Sequence, residues 1–161
     1  MDKNYTLRFE PIPGDVEAVK EILISSGFFL EHEIPVALEL VEESIEKGAD
    51  SEYFFIFAMD GNKTISYSCY GTIPCTKNSF DLYWIATHED YRGKGVGSFV
   101  LKETEKKIKS MGGRAIYIET SSKPLYTPTQ IFYEKQGYFK EVVLKDFYDI
   151  NDGKIIYSKH L

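Results

Sequence analysis

The chain has 161 residues, of which 43% are hydrophobic and 27% charged, and this balance predicts one soluble domain with a hydrophobic core. Its formal net charge of -6 argues against nucleic acid as a partner, because neutralising phosphates requires a basic surface. No apolar run approaches about 18 residues and Met1–Tyr5 lacks the order of a signal peptide, so neither a membrane span nor a leader is expected. Cys69 and Cys75 are expected to be reduced thiols of a cytoplasmic protein.

The first third of the chain is predicted to form one short strand and two helices. Tyr5–Phe9 alternates between polar and apolar residues, as a strand does. Asp15 is predicted to cap a helix that runs to Ser26 and stops at Gly27. A second helix is predicted from about Ile34 to Lys47, ended by Gly48.

A block of strands follows. Tyr53–Ala58 and Thr64–Thr72 are predicted strands joined by the hairpin turn Asp60-Gly61-Asn62. Phe80–Thr87 is almost entirely apolar or aromatic after Asp81. A strand that is apolar on both faces belongs in the middle of a sheet, so this strand is predicted to be central.

The last part of the chain alternates between helices and strands. The predicted elements are a helix at Gly95–Met111, a strand at Arg114–Thr120, a short helix at Pro128–Lys135, and closing strands at Tyr138–Leu144 and Lys154–Lys159. The whole order is β-α-α-β-β-β-α-β-α-β-β. It predicts a single α/β (α+β mixed) domain: one mixed, mostly antiparallel sheet of about seven strands with helices on both faces.

The loop after the central strand carries the strongest chemical signal. It reads Arg92-Gly93-Lys94-Gly95-Val96-Gly97 and leads directly into a helix. Glycines let backbone N–H groups turn toward a ligand, and a helix N-terminus adds positive charge, so the loop is a predicted anion site. A Walker loop and the dinucleotide fingerprint both fit the spacing poorly. On spacing alone, a glycine-rich turn that merely starts a helix remains an alternative.

Two motifs resemble those of the GNAT superfamily of N-acetyltransferases. The spacing Arg92-x-x-Gly95-x-Gly97, after a strand ending in Ile85-Ala86-Thr87, resembles the family motif Q/R-x-x-G-x-G/A. Ile131–Tyr138 resembles the family signature aromatic-Tyr-x-x-x-Gly-aromatic. The order of elements is also similar to the family fold from about Tyr5 to Lys159. The resemblance implies an acyl-CoA-dependent N-acetyltransferase with splayed central strands.

The resemblance also implies how acetyl-CoA would be held. Backbone N–H groups from Gly93 to Ser98 would bind the pyrophosphate, and the backbone of Ile85 and Thr87 would pair with the pantetheine arm like an added strand. That pairing requires the central strand to splay from its neighbour after Thr120. Tyr126 stands where the family often has Asn and could close over the arm instead. The predicted cofactor-binding residues are Ile85, Ala86, Thr87, Arg92, Gly93, Lys94, Gly95, Val96, Gly97, Ser98, Tyr126 and Tyr133.

The catalytic groups are assigned by position in the family pattern. Tyr133 matches the tyrosine that the family places near the thioester sulfur, where a neutral phenol can protonate a thiolate; a packing role on the sheet is the alternative. Asp81 is the first candidate for the general base and Glu119 the second. His88 is the third and is expected to be solvated. A water relay without a dedicated base also remains open.

The acceptor pocket is predicted between the first two helices and the strands that face them. The predicted substrate-binding residues are Phe28, Phe29, Glu33, Tyr70 and Tyr83. Aromatic walls with carboxylates suit a small-molecule or peptide amine, although Phe28 and Phe29 could simply cover the sheet. The predicted function is therefore transfer of an acetyl group to a primary amine in a ternary complex. A non-catalytic acyl-CoA sensor or regulatory module is the alternative; no metal is expected, and a homodimer is allowed for.

Overall fold

A computed structural model describes residues 4–161. The expectation that Met1–Tyr5 is not a leader therefore lies, for its first three residues, outside the described residues. The strands are β1 (Thr6–Arg8), β2 (Phe54–Asp60), β3 (Lys63–Thr72), β4 (Ser79–Thr87), β5 (Ala115–Ser121), β6 (Phe139–Asp149) and β7 (Asp152–His160). The helices are α1 (Asp15–Ser26), α2 (Glu33–Lys47), α3 (Val96–Ser110) and α4 (Thr127–Lys135). Short 3-10 turns precede β2, α3 and α4.

The strands form one sheet in the order β1-β2-β3-β4-β5-β7-β6. Every neighbouring pair is antiparallel except β4 and β5, which run parallel. β4 is the fourth of the seven strands, so the prediction of a central strand is confirmed, as is the mixed, mostly antiparallel sheet. The strand β7 lies between β5 and β6, which brings the C-terminal hairpin beside β5.

Helix α1 ends at the predicted residue and starts one residue earlier than predicted, since its N-cap is Gly14 and not Asp15. Gly27, with φ 73, supplies the left-handed conformation that ends the helix. The predicted cap is wrong in its details, because Asp15 does not cap the helix with its side chain. Its carboxylate instead accepts two hydrogen bonds from Arg8 at 2.7 Å and one from the backbone N–H of Ile12 at 2.8 Å. This buried ion pair ties β1 to the start of α1.

Hydrophobic cores lie on both faces of the sheet. On one face α3 and α4 bury Val96, Val100, Leu101, Ile108 and Tyr133 against the strands. On the other face α1 and α2 bury Val19, Ile22, Leu23, Ala37 and Val41. The prediction of helices on both faces is therefore confirmed.

A β-bulge in β4 changes the direction of its side chains. Tyr70 pairs with Leu82 and Cys69 pairs with Trp84, so Tyr83 is the extra residue of the bulge. In a regular strand, side chains two residues apart share a face. Here Leu82 packs in the core under α3, whereas Trp84 packs against the core under α1 and α2.

Neither cysteine forms a disulfide: Cys69 is buried and Cys75 is exposed. Among residues 4–161, no helix combines the length and the apolar character needed to cross a membrane.

Candidate active site

The central strand separates from its parallel neighbour partway along its length. Ser79–Asp81 pairs with Ala115–Tyr117, and the pairing stops there. From Leu82 onward β4 pairs with β3 alone among the described strands, so its other edge is open. The predicted splay is present, but it begins after the pair Asp81 and Tyr117, three residues before Thr120 on β5. An open strand edge offers backbone N–H and C=O groups to a ligand.

The glycine-rich loop leaves the start of α3 accessible. Gly93 and Gly95 have φ values of 70 and 80, which glycine adopts without strain. A Cβ at either position would have no atom within 4 Å, so both glycines border open space. Gly95 precedes the helix and no side chain caps it, so the first N–H groups of α3 remain available for an anion. Side chains therefore do not block the N-terminus of α3.

The two cations of the loop behave differently. The guanidinium of Arg92 lies over the ring of Phe28, 5.3 Å from its centroid. Lys94 folds back instead, and its Nζ donates to the carbonyl of Asp90 at 2.6 Å. Arg92 thus faces the groove, whereas Lys94 stabilises its own loop.

One cavity of about 860 Å3 joins the loop, the open edge of β4 and helix α4. The predicted cofactor residues that line it are Ile85, Ala86, Thr87, Arg92, Gly93, Gly95, Val96, Gly97, Ser98, Tyr126 and Tyr133. Lys94 is the predicted cofactor residue that does not. The family motifs, which are about 35 residues apart along the chain, therefore meet at one groove.

Tyr133 lies at the inner wall of this cavity and is only 5% exposed. Its ring packs against Tyr138 and Tyr157, with centroids 5.9 and 5.8 Å away. Burial, with a smaller effect of Tyr157, raises the pKa of the Tyr133 phenol well above its usual range. The phenol therefore remains protonated at neutral pH and can act as a proton donor.

The two carboxylates predicted as bases have different surroundings. Glu119 lines the cavity, and its Oε2 lies 2.8 Å from Nζ of Lys154. Asp81 is half-buried and is not among the residues that line the cavity. Burial raises the pKa of Asp81 to about 6; the negative charge of Glu119 adds to this rise and the positive charge of Lys154 opposes it. The two carboxylates thus interact, but only Glu119 reaches the groove.

The acceptor side of the cavity contains most of the residues predicted for it. The predicted residues that line it are Phe28, Phe29, Glu33 and Tyr83. The ring of Phe29 packs on Trp84 with centroids 5.4 Å apart. Tyr70 does not line the cavity: it is 1% exposed and stacks on Phe54 in the core under α3. Strand alternation explains this difference: Tyr70 pairs with Leu82 and shares its face, whereas Tyr83, the next residue on β4, points to the opposite face of the sheet.

Tyr126 connects the two sides of the groove. Its hydroxyl donates to the carbonyl of Phe28 at 2.7 Å, although the two residues are 98 positions apart. Phe28 is thus held by Tyr126 through its backbone and contacted by Arg92 through its ring. These contacts link the loop between α1 and α2 to the predicted cofactor side of the cavity.

His88 is not solvated, in contrast to the prediction. It is 6% exposed, and its Nδ1 accepts the backbone N–H of Asp90 at 3.2 Å. Its Nε2 lies 3.3 Å from Oε1 of Glu21 on α1. These contacts fix the chain just before Arg92, so His88 has a structural position beneath the loop.

No sequence pattern indicated the three residues of the C-terminal hairpin that line the cavity, Tyr148, Asp149 and Asp152. Asp152 is buried and accepts a hydrogen bond from Ser121. Burial raises the pKa of Tyr148 to about 12, and the negative charges of Glu119, Asp152 and Glu33 contribute. Glu33, Glu119 and Asp152, from separate parts of the chain, therefore line the same cavity as Tyr148, and their charges act on its phenol.

Comparisons with known proteins agree with these features. A sequence profile of the acetyltransferase (GNAT) family matches residues 16–138. A crystal structure of a Desulfovibrio desulfuricans protein, described as an acetyltransferase of the GNAT family, is 39% identical with a TM-score of 0.95. The match covers 98% of this chain and 99% of that one. No curated protein sequence matches the chain.

More distant structures share the fold alone. PaiA N-acetyltransferase from Thermoplasma acidophilum, crystallised with coenzyme A, is 20% identical with a TM-score of 0.73, over 97% of this chain and 99% of that one. The ribosomal-protein-S18-alanine N-acetyltransferase from Escherichia coli is 16% identical with a TM-score of 0.73, over 96% and 94%. The profile spans most of the chain and the Desulfovibrio structure almost all of it, so the chain belongs to the GNAT family of acetyltransferases.

Proposed function

We propose that this protein transfers an acetyl group from acetyl-CoA to a primary amine of a small molecule or peptide, by direct attack in a ternary complex. This proposal rests on one cavity, which joins the N-terminus of α3, the open edge of β4, Tyr133 and Glu119. Such a cavity accommodates both substrates side by side, which direct transfer requires.

The cofactor half of the cavity is built mainly from backbone. The open N–H groups at Gly93–Ser98 suit a pyrophosphate, and Arg92 adds a positive charge beside them. The unpaired edge from Leu82 to Thr87 suits the amide groups of the pantetheine arm. The coenzyme A complex of PaiA, which has the same fold, supports this choice of cofactor.

The proposed reaction needs one proton acceptor and one proton donor. The amine nitrogen attacks the thioester carbonyl, a C–N bond forms and the C–S bond breaks. Glu119, the carboxylate in the cavity, takes the proton that the amine loses. Tyr133, whose pKa is raised by burial, gives a proton to the leaving thiolate. Asp81, which does not line the cavity, takes no direct part in this proton transfer.

The acceptor half favours a cationic substrate. Glu33, Glu119 and Asp152 all interact with Tyr148, and Lys154 and Lys123 pair with two of them. Tyr83, Phe29 and Trp84 add aromatic surface to the same region. Carboxylates and aromatic faces together attract an ammonium group. The E. coli neighbour acts on a protein alanine, which agrees with an amine as the class of acceptor.

The test measures thiol release from acetyl-CoA over a panel of primary amines, including polyamines, aminoglycosides and peptides. We expect turnover with at least one amine, and we expect Tyr133→Phe to lower kcat about 100-fold while acetyl-CoA affinity by calorimetry stays within about twofold. Tyr157→Phe is the matched control. It also removes a phenol from the same aromatic cluster, but Tyr157 bonds Glu134 and does not line the cavity.

Two results would contradict the proposal. Tight acetyl-CoA binding without turnover on any amine would favour the non-catalytic sensor. Equal losses of kcat in the two tyrosine variants would show that Tyr133 acts through packing and not through its hydroxyl.

A further inference from the structure

Charged side chains form a row across three neighbouring strands, at the point where β4 separates from β5. Asp81 pairs with Tyr117 at the end of the β4–β5 pairing, and Glu119 lies two residues farther along β5. Side chains two residues apart on a strand share a face, so Asp81 and Glu119 lie on the same face of the sheet. Ile156 of β7 pairs with Glu119, so Lys154, two residues before Ile156, lies on this face as well. The three charged groups are therefore neighbours across β4, β5 and β7.

Lys154 contacts Glu119 directly and is itself held in place. Its Nζ lies 2.8 Å from Oε2 of Glu119. The ammonium also lies over the ring of Phe147, 3.8 Å from its centroid, and 5.8 Å from the centroid of Tyr148. The lysine side chain is only 12% exposed. Ordering a free lysine costs about 2 kcal/mol of rotamer entropy, so a lysine that its surroundings already order holds a partner more firmly than an exposed one does.

An interruption in the β6–β7 pairing brings the two aromatic rings to Lys154. Leu144 pairs with Lys154 and Asp149 pairs with Asp152, and the register shifts between these two pairs. The chain of β6 is thus longer than that of β7 over this stretch, and such a bulge redirects the side chains within it. Both aromatic rings come from the segment 145–148, which lies inside the bulge.

The positive charge of Lys154 also offsets the repulsion between the two carboxylates. Burial is the main cause of the raised pKa of Asp81; the negative charge of Glu119 adds to the rise, and the positive charge of Lys154 opposes it. Neighbouring carboxylates compete for a proton, because a like charge disfavours the ionised form. A general base must be ionised to accept a proton. Lys154 therefore favours the state of the pair in which the proposed base is available.

An acceptor amine in the cavity can reach Glu119 but not Lys154. Glu119 lines the cavity and its side chain remains 51% exposed despite the ion pair, whereas Lys154 does not line the cavity. Any effect of Lys154 on the reaction must therefore pass through Glu119. A purely structural ion pair between β5 and β7 is the alternative, but these strands already pair along the whole of β5, from Ala115 to Ser121.

We propose that Lys154 is the positioning residue for Glu119, whose ionised carboxylate it holds at the cavity wall where the acceptor amine loses its proton. This inference rests on the proposed function, in which Glu119 is the base. The proton passes from the amine to Glu119, and Lys154 keeps its own proton throughout.

The first test compares variants of two lysines on the C-terminal hairpin. Lys154→Met removes the charge but keeps the length of the side chain. We expect it to lower kcat about tenfold and to leave the KM for acetyl-CoA within about twofold, because a misplaced base slows proton transfer without affecting cofactor binding. Lys154→Arg keeps the charge and should retain at least about a third of the wild-type kcat.

Lys140→Met is the matched control. Lys140 also pairs with a glutamate, Glu134, at 3.5 Å and lies over an aromatic ring, that of Tyr157, but it does not line the cavity. Its kcat should stay within about twofold of the wild type. An equal loss of kcat in Lys140→Met and Lys154→Met would overturn the inference, because it would show a general effect of lost charge on the hairpin.

A double-mutant cycle separates positioning from a structural role. Glu119→Gln alone should lower kcat about 100-fold, and adding Lys154→Met should change kcat little further, because Lys154 acts through a base that is no longer there. Independent losses would instead multiply to about 1,000-fold. A loss of that size would overturn the inference and leave the proposed function intact. Full activity of Glu119→Gln would refute both the proposed base and this inference.

Crystal structures of the wild type, Lys154→Met and Lys140→Met test the contact without any turnover. We expect the Glu119 carboxylate to move or to occupy several positions in Lys154→Met, and to keep its position in Lys140→Met. A Glu119 carboxylate that stays in place without the Lys154 ammonium would overturn the inference, even if the wild type acetylated no amine in the panel.

Discussion

Replacing Asp81 by Asn should stabilise the protein at neutral and alkaline pH. Burial raises the pKa of Asp81 from its ordinary 3.8 to about 6, and the nearby charge of Glu119 contributes. Between these values the folded chain binds more protons at Asp81 than the unfolded chain does. The free energy of unfolding therefore falls as pH rises through this window, and the loss is complete above about pH 7. Asn has no charge to desolvate, so the variant lacks this loss.

The size of the effect follows from the two pKa values. The difference between the two pKa values corresponds to at most about 3 kcal/mol of unfolding free energy, at about 1.36 kcal/mol per pKa unit. Because Asp81 is half-exposed, water screens its charge, and we expect about 1 kcal/mol. At a urea m-value of about 2 kcal/mol/M, the unfolding midpoint of Asp81→Asn should rise by about 0.5 M at pH 8.

Urea unfolding of the wild type and Asp81→Asn at pH 4.5 and pH 8 measures this effect. Asp50→Asn, at an exposed acid after α2, controls for the change in net charge. We expect the advantage of Asp81→Asn over the wild type to grow from pH 4.5 to pH 8. An advantage that is equal at both pH values, or larger at pH 4.5, would refute the argument that the buried carboxylate resists ionisation.

Three further predictions concern the groove. Gly95→Ala should weaken acetyl-CoA binding about tenfold, because a side chain is strained at φ 80. Gly97→Ala should bind acetyl-CoA normally, because its Cβ would lie an ordinary 3.5 Å from its nearest neighbour. Calorimetry of acetyl-CoA binding to each variant measures this difference. Glu119→Gln should lower kcat about 100-fold at pH 7 with partial recovery at pH 10, where free amine is abundant; a loss independent of pH would exclude a base role. Tyr126→Phe removes the hydrogen bond to the Phe28 carbonyl and should raise the KM for the acceptor about fivefold, with little change in the KM for acetyl-CoA. A rise in the KM for acetyl-CoA alone would instead place Tyr126 at the pantetheine arm.

Most of the fold could be predicted because it depends on local patterns. The bounds of α1 follow from an apolar stripe and from Gly27, which takes the left-handed conformation. On α3 the residues that recur at helical spacing are all buried: Val96, Val100, Leu101, Thr104 and Ile108. The turn at Gly93 and Gly95 could likewise be predicted, because few residues other than glycine adopt φ values of 70 and 80.

The remaining features depend on contacts that no local pattern encodes. Tyr70 and Tyr83 both lie on largely apolar strands, and the register that pairs Tyr70 with Leu82, the neighbour of Tyr83, places them on opposite faces of the sheet. His88 follows a strand in an acidic stretch, yet packing against α1 buries it. Tyr148 reaches the cavity because β7 lies between β5 and β6, and that order follows from the whole sheet.

The two halves of the groove constrain sequence differently. The proposed cofactor half would use backbone N–H groups and an open strand edge, which require glycine at two positions and little else. The proposed acceptor half would use side chains from the α1–α2 loop, the bulge of β4 and the C-terminal hairpin. Proteins only 16–20% identical to this chain share its fold. The acceptor must accordingly be inferred from this chain's own cavity, which Glu33, Glu119 and Asp152 line together with Tyr148.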